Sequence, residues 1–203
     1  MKFNRKYYEN LKIEEFPDEI LVDMDQYLYR VKWILNFIKN GSILDLGCNN
    51  GLLSLRYAYI GRRVVGVDLS KKAIKFCNNF LKRHHLTTSK YQQGIIEEFK
   101  SKEKFDNIFI CEVIEHVENP ERILEVAEKH LKPDGIIFIT TPDYDGLFGI
   151  NNFGDTDGEH INLFKPKQLY KLINERGKII NFQNRQLTYI LYKKYENNNV
   201  SVL

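Results

Sequence analysis

Residues 42–54 read SILDLGCNNGLLS: a short, largely apolar run of isoleucine and leucine, a turn carrying Gly47 and Gly51, and the start of a helix. Glycine in such a turn permits unusual backbone angles and lets a ligand approach the main chain closely. Seventeen residues after Gly51, the run RRVVGVDL (62–69) ends in Asp68. A carboxylate at that strand end can accept hydrogen bonds from both hydroxyls of a ribose. A GxxxG turn alone says little, because many turns hold two glycines. Coupled to an acid at the end of the next strand, it points to a nucleoside cofactor.

Working outward, FDNIFI (105–110) and GIIFITT (135–141) repeat the short apolar texture of SILDLG and RRVVGVDL. Such runs are expected of strands buried on both faces. Between and after them lie helical candidates at 51–60, 70–83, 119–131 and 166–176. Alternating strand and helix predicts a parallel sheet with helices on both sides and right-handed crossovers. The end of the chain breaks the alternation. KIINFQNR (178–185) and TYILYKKYE (188–196) are two alternating runs joined by a short polar link, which predicts an antiparallel hairpin. The start is helical in spacing, with Ile20, Leu21, Met24, Leu28, Val31, Leu35 and Ile38 recurring every three or four residues. The expectation is therefore a Rossmann-like α/β, doubly wound sheet of seven mostly parallel strands in a single domain. Residues 1–40 would form a helical cap, 41–142 the cofactor-binding core, 143–165 a lid loop, and 166–203 a helix plus the hairpin.

At 203 residues the chain is long enough for one sizeable core, and 43% hydrophobic with 13% aromatic residues describes a folded globule. No apolar run approaches the ~18 residues that span a bilayer. The opening MKFNRKYYENLK lacks the apolar centre of a signal peptide, so a cytoplasmic home is expected. A net charge of +3 is too mild to call for a nucleic-acid partner. Cys48, Cys77 and Cys111 are odd in number and form no CxxC pair, which reads as reduced, packing thiols. Nothing in the sequence specifies an oligomeric state.

CEVIEHV (111–117) follows FDNIFI directly and so lies at the carboxyl end of what should be the fourth strand, the edge where ligands bind in open α/β sheets. If a helical turn starts near Glu112, then Glu112, Glu115 and His116 share one face. The long segment DYDGLFGINNFGDTDGEHINLF (143–164) carries His160 and should hang over the same pocket, since loops of this length tend to be functional lids. Two carboxylates and two imidazoles suit Mg²⁺, Mn²⁺ or Zn²⁺. Without a metal, His116 or His160 can serve as general base with Glu115 orienting it. Three other groups read as structural. The lysine-rich FCNNFLKRHH (76–85) places cations and the His84–His85 pair at a helix C-terminus, which favours positive charge. Tyr7, Tyr8, Tyr27, Tyr29 and Trp33 read as packing rather than as a cap over the cofactor. Phe148, Phe153 and Phe164 either shape the acceptor pocket or anchor the loop.

In order, LDLGCNNG, GVDLS, FDNIFICEVIEHV and LKPDGIIFITTP resemble the motifs of class I S-adenosylmethionine-dependent methyltransferases, over about residues 40–192. A nicotinamide enzyme would share the strand, turn and distal acid. It would more often carry G-x-G-x-x-G, because a pyrophosphate must sit on the helix N-terminus. The resemblance implies that Asp45 and the Gly47–Gly51 loop face the methionine part of S-adenosylmethionine. Asp68 would hold the ribose, Leu69 the adenine, and Gly94 and Ile95 the adenine edge, with Cys111 on the cofactor side. The chain departs from the family at Asn49, where a third glycine is common, and at Gly94, where an acid is common. E-x-x-E-H with a later loop histidine resembles O-methyltransferases of ubiquinone biosynthesis and of small-RNA 3′ ends. That likeness implies metal ligands Glu112, Glu115, His116 and His160. The reading is a methyltransferase acting on a hydroxyl of a small sugar or phenolic molecule. An RNA ribose 2′-O-methyltransferase and a catalytically silent cofactor-binding module are the alternatives.

Overall fold

The computed structural model describes residues 29–145, 160–185 and 187–195. The apolar runs become strands β1 (Ile43–Leu46), β2 (Val64–Asp68), β4 (Phe105–Cys111) and β5 (Leu131–Pro142). A third strand, β3 (Lys90–Gln93), precedes a single 3₁₀ turn at Ile96–Glu98. The hairpin forms as β6 (Gly177–Asn184) and β7 (Leu187–Lys194). One seven-stranded sheet results, in the order β3-β2-β1-β4-β5-β7-β6. The first five strands in this order pair in parallel, and β7 joins β5 and β6 antiparallel. The expected doubly wound architecture is therefore the observed one.

Among the described residues five helices flank the sheet: α1 (Tyr29–Phe37), α2 (Leu55–Tyr59), α3 (Lys71–Arg83), α4 (Pro120–His130) and α5 (Pro166–Asn174). Residues 18–28 of the expected first helix lie outside the described residues. The helix expected over 51–60 is shorter, because residues 51–54 are spent on the turn that closes the glycine loop. Ser70 caps α3 by accepting from Ala73 N, and Asn119 caps α4 by accepting from Arg122 N, with Pro120 at the first helical position.

Successive strand residues divide between two cores, as the twofold strand period requires. One face packs Leu44, Val65, Ile108 and Ile137 against Ile123, Ala127 and Leu169 of α4 and α5. The other packs Ile43, Val64, Phe109 and Phe138 against Trp33, Tyr57 and Phe80 of α1, α2 and α3. Trp33 stands edge-on to Phe138 at 5.5 Å between ring centroids, and Phe138 edge-on to Phe109 at 5.4 Å. Trp33 is thus core, and its ring N–H donates to Asn181 Oδ1 of β6 at 2.9 Å. Across the sheet end, Arg176 holds Glu128 of α4 through two bonds, Nε–Oε1 2.8 Å and Nη2–Oε2 3.1 Å, and the Tyr192 hydroxyl donates to the same carboxylate. Among the described residues no helix is long and apolar enough to cross a membrane.

Phe138→Ala should cost about 3–5 kcal/mol of unfolding free energy, because it empties a fully buried aromatic site that three elements share. Urea unfolding should show the midpoint falling with its slope unchanged; a loss under 1 kcal/mol would contradict this packing.

Candidate active site

The strand order reverses between β1 and β4, and the crevice of a doubly wound sheet opens at the carboxyl ends of such neighbours. A cavity of about 350 Å³ lies there. Its floor is the glycine loop. Gly47 has φ +77° and Gly51 φ +76°, values that cost L side chains strain. A Cβ on Gly47 would also stand 2.4 Å from Val113 Cγ2, and one on Gly51 2.7 Å from Leu55 Cγ. Asn49 adopts φ +45°, so it takes the left-handed backbone that the missing third glycine would have supplied. Both Gly47 N and Cys48 N donate to Val67 O, tying the loop to β2.

Asp45, Gly47, Asn49, Asp68, Leu69 and Cys111 all line this cavity. Gly51, Gly94 and Ile95 do not; Gly51 instead lets the loop close onto Leu55 and Cys77. Where the sequence offered Gly94 and Ile95 for the adenine edge, the neighbouring Ile96 and Glu97 face the cavity. Asp68 uses its two oxygens to accept from Asn49 N and Ser70 N, each at 2.8 Å, which fixes the carboxylate at the strand end and leaves lone pairs directed outward. Burial raises its pKa, and those two backbone bonds oppose the rise.

Asp45 is 3% exposed, and its Oδ2 has no hydrogen-bond partner. Burial pushes its pKa up to about 7, with the Ser54 hydroxyl opposing and the Asp68 charge adding. A buried, unsatisfied acceptor beside a loop of closely approachable backbone fits the ammonium of an amino-acid moiety. On this count the residues present suit S-adenosylmethionine.

The opposite wall comes from CEVIEHV, where one expectation is corrected. Glu112 N donates to Thr140 O at 2.9 Å, continuing the strand ladder, and Glu112 then turns the chain with φ +56°. Residues 112–116 are therefore a turn and not the first turn of a helix, and the three ionisable side chains do not share a helical face. Glu112 faces Arg30 of α1, with Oε1 3.4 Å from Nη1. Arg30 lines the cavity and is a site residue that sequence reasoning missed. No local motif marks it, because α1 reaches the site only by packing Trp33 and Ile34 against the sheet.

Glu115 is fully buried and accepts from Thr141 Oγ1 at 3.0 Å. Its Oε1 has no hydrogen bond and lies 3.9 Å from His116 Nε2. Burial raises its pKa well above the ordinary carboxylate value, and the Glu112 charge adds to this. His160 stacks obliquely on His116, 4.6 Å between ring centroids, and shares a hydrogen bond at Nδ1 with the Tyr144 hydroxyl. One ligand atom each from Glu115, His116 and His160 falls within 4.8 Å of the others, and Glu112 is not in that group. The donor set of one carboxylate and two imidazoles fits a borderline divalent ion.

What returns His160 to this wall is the residue pair after it. Ile161 N and Asn162 N both donate to Glu115 O, and Asn162 Nδ2 donates to Val117 O at 2.6 Å and to Ile114 O at 3.3 Å. Asn162 is the second residue that sequence reasoning passed over. The signal was present in EHINLF, an asparagine two positions after the histidine. Residues 146–159 of the expected lid, including Phe148 and Phe153, lie outside the described residues, while Phe164 packs on the core beside α5. Cys48 and Cys77 are buried free thiols, and burial pushes the thiol of Cys111 up to about 12. His84 and His85 end α3, with His84 packed on Phe80.

The model of the methyltransferase domain family matches residues 24–178. A ubiquinone biosynthesis O-methyltransferase of Rickettsia canadensis is 36% identical over 174 residues, covering 80% of this chain and 71% of the relative. One of the same name from Glaesserella parasuis is 38% identical over 105 residues, covering 49% and 44%. The chain thus spans under half the length of some of the curated relatives it matches. Among solved structures, an S-adenosylmethionine-dependent methyltransferase from Clostridium acetobutylicum superposes with a TM-score of 0.66 at 16% identity, covering 89% of this chain and 93% of the other. The chain belongs to the methyltransferase domain family, built on the fold of S-adenosylmethionine-dependent methyltransferases.

Proposed function

We propose that this chain transfers the methyl group of S-adenosylmethionine to a hydroxyl of a small molecule, a phenol or a sugar, in the cytoplasm. The supporting observation is a single cavity flanked on one side by Asp45 and Asp68 and on the other by His116, behind which stand Glu115 and His160. The relatives named as ubiquinone biosynthesis O-methyltransferases favour a phenolic acceptor.

S-adenosylmethionine brings a methyl carbon already made electrophilic by its sulfonium, so the protein's share is orientation and proton removal. In this reading Asp68 takes the ribose hydroxyls, and Leu69, Ile96 and Glu97 border the adenine. Asp45 takes the amino group, while Arg30, the arginine that lines the cavity, suits the carboxylate. Gly47 and Asn49 bring the loop backbone close enough to exclude water between. The acceptor hydroxyl belongs at His116, whose imidazole can take its proton, with the Glu115 carboxylate behind the ring to stabilise the imidazolium. In the alternative arrangement, a divalent cation held by Glu115, His116 and His160 would supply a lowered hydroxyl pKa and a fixed acceptor geometry, and His116 would then be a ligand and not the base.

Asp45 carries a pH signature. Its folded pKa of about 7 lies above the ordinary value of 3.8, so its contribution to the stability of the ligand-free protein is full below pH ~4 and is lost as pH rises through 7. Binding an ammonium requires the ionised form, so affinity moves the other way. Calorimetric affinity for S-adenosylhomocysteine should rise about tenfold from pH 6 to pH 8, and Asp45→Asn should bind weakly with a flat profile. Gly47→Ala, which drives a methyl into Val113, should lower the same affinity at least tenfold while the far-ultraviolet circular dichroism is kept.

The acceptor class is tested by radiolabelled methyl transfer to phenolic, sugar and amine acceptors; transfer confined to amines would overturn the proposal. Metal assistance predicts that EDTA abolishes turnover and that Glu115→Ala loses Mn²⁺ binding measured on its own by calorimetry. Full turnover in EDTA would leave the proton to His116 alone.

A further inference from the structure

The chain's mild net charge conceals a strong internal polarity. Residues 49–96 hold nine Lys and Arg against one acid, Asp68, for a net charge of +8, so the other 155 residues carry −5 of the total +3. The lone acid of this span faces the cofactor cavity, and of its cations Arg63 and Lys90 are paired with Glu103 from outside the span. Much of that charge sits on α3, KKAIKFCNNFLKR, which contains no acidic residue.

The helix segregates its side chains cleanly. Ala73, Ile74, Cys77, Phe80 and Leu81 are buried, while Lys71, Lys72, Lys75, Lys82 and Arg83 are exposed together with Asn78 and Asn79. At 100° per residue the five cations fall within an arc of about 120°, and at 1.5 Å per residue they run about 18 Å along the helix. Among the described residues, Lys71, Lys72, Lys75 and Lys82 have no ion-pair partner. Like charges held in a row without counter-charges repel one another, and an external polyanion relieves that repulsion.

Beyond the C-terminal end of this stripe stands an aromatic group. Tyr59, 47% exposed, lies against Phe80 and stands edge-on to His84 at 5.2 Å. A cationic groove or stripe ending in an exposed ring is the arrangement that takes a strand's phosphates and stacks one of its bases. A lipid surface fits less well. An interfacial helix must turn an apolar face outward, and α3 has already buried its apolar face against β2 and β3. Ile60 is the one strongly exposed aliphatic residue beside the patch.

We propose that the outward face of α3, with Tyr59 at its end, is a docking surface for single-stranded nucleic acid. The stripe begins two residues past Leu69, at the cofactor end of the cavity, and runs from there along β2 and β3 to Tyr59, so most of a strand held on it lies off the acceptor wall. Docking therefore does not depend on which molecule is methylated.

The test is fluorescence anisotropy with a labelled 20-nucleotide oligouridine RNA on the full chain, titrated from 50 to 200 mM salt. Binding should weaken steeply with salt. The triple variant Lys71→Gln, Lys75→Gln, Lys82→Gln should lose at least tenfold in affinity at 50 mM, and the slope of log affinity against log salt should fall by about 2, at roughly 0.7 per phosphate contact on a single strand. Tyr59→Ala should weaken binding several-fold with the slope unchanged. Lys167→Gln with Lys171→Gln on α5 should change neither quantity. S-adenosylhomocysteine binding retained by the triple variant would show that its fold is intact and would separate this test from that of the methyl transfer. No binding at 50 mM salt, or equal binding by the triple variant, would overturn the proposal. So would lysine-dependent binding to phosphatidylglycerol vesicles without binding to RNA.

Discussion

The parallel pairing of β1 with both β2 and β4 is the constraint on which the remaining structure depends. It forces the chain to leave β1 toward one face and to reach β4 from the other direction, so the two loops that follow these strands part and leave a crevice. The glycine loop, Asp68 and the CEVIEHV turn are then brought together by topology, though Asp68 and Cys111 lie 43 positions apart in the chain. No side chain in the site has to draw these segments together. Each needs only to follow its own strand end.

The same burial that stabilises the sheet loads the crevice with cost. Asp45, Glu112 and Glu115 all have pKa values raised by burial, and Asp45 and Glu115 each hold an oxygen without a hydrogen bond. A core built for stability alone would replace them with apolar groups of like volume. Their retention at the edge where the loops part is the physical argument that ligands complete this region. In the proposed site, an ammonium beside Asp45 and a proton or cation beside Glu115 would each remove a penalty that the free protein carries.

How much of this was legible in the sequence follows from which forces were local. The strands of the centre could be read because both faces are buried, leaving unbroken apolar runs such as IFI and IIFI. β3 is different: KYQQ buries only Tyr91 and has no such run. Gly47 and Asp68 were legible because their spacing is set by one strand-turn-helix-strand unit, β1 to β2. The error at Glu112 has a specific cause. Helical spacing was applied to a segment whose first residue is still bonded to the neighbouring strand, through Glu112 N to Thr140 O. Thr140 lies 28 residues away, so no local period records it. Arg30 and Asn162 escaped for the same reason, since each acts through partners that only the fold brings near.

Charge adds a constraint on where partners can approach. The acidic excess lies outside residues 49–96, and five of the nine cations within that span lie on a helix whose apolar side is used by the sheet. A polyanion approaching from solution is therefore drawn toward the flank carrying α3. The acceptor wall presents Glu112, paired with Arg30, and the deeply buried Glu115. A neutral phenol or sugar meets no opposing field there, whereas a phosphate-rich chain would have to displace Arg30 from Glu112 or approach Glu115 uncompensated. Under the two proposals, electrostatics would keep the partners apart: a small hydroxyl compound at the crevice, and an anionic chain on the helix beside it.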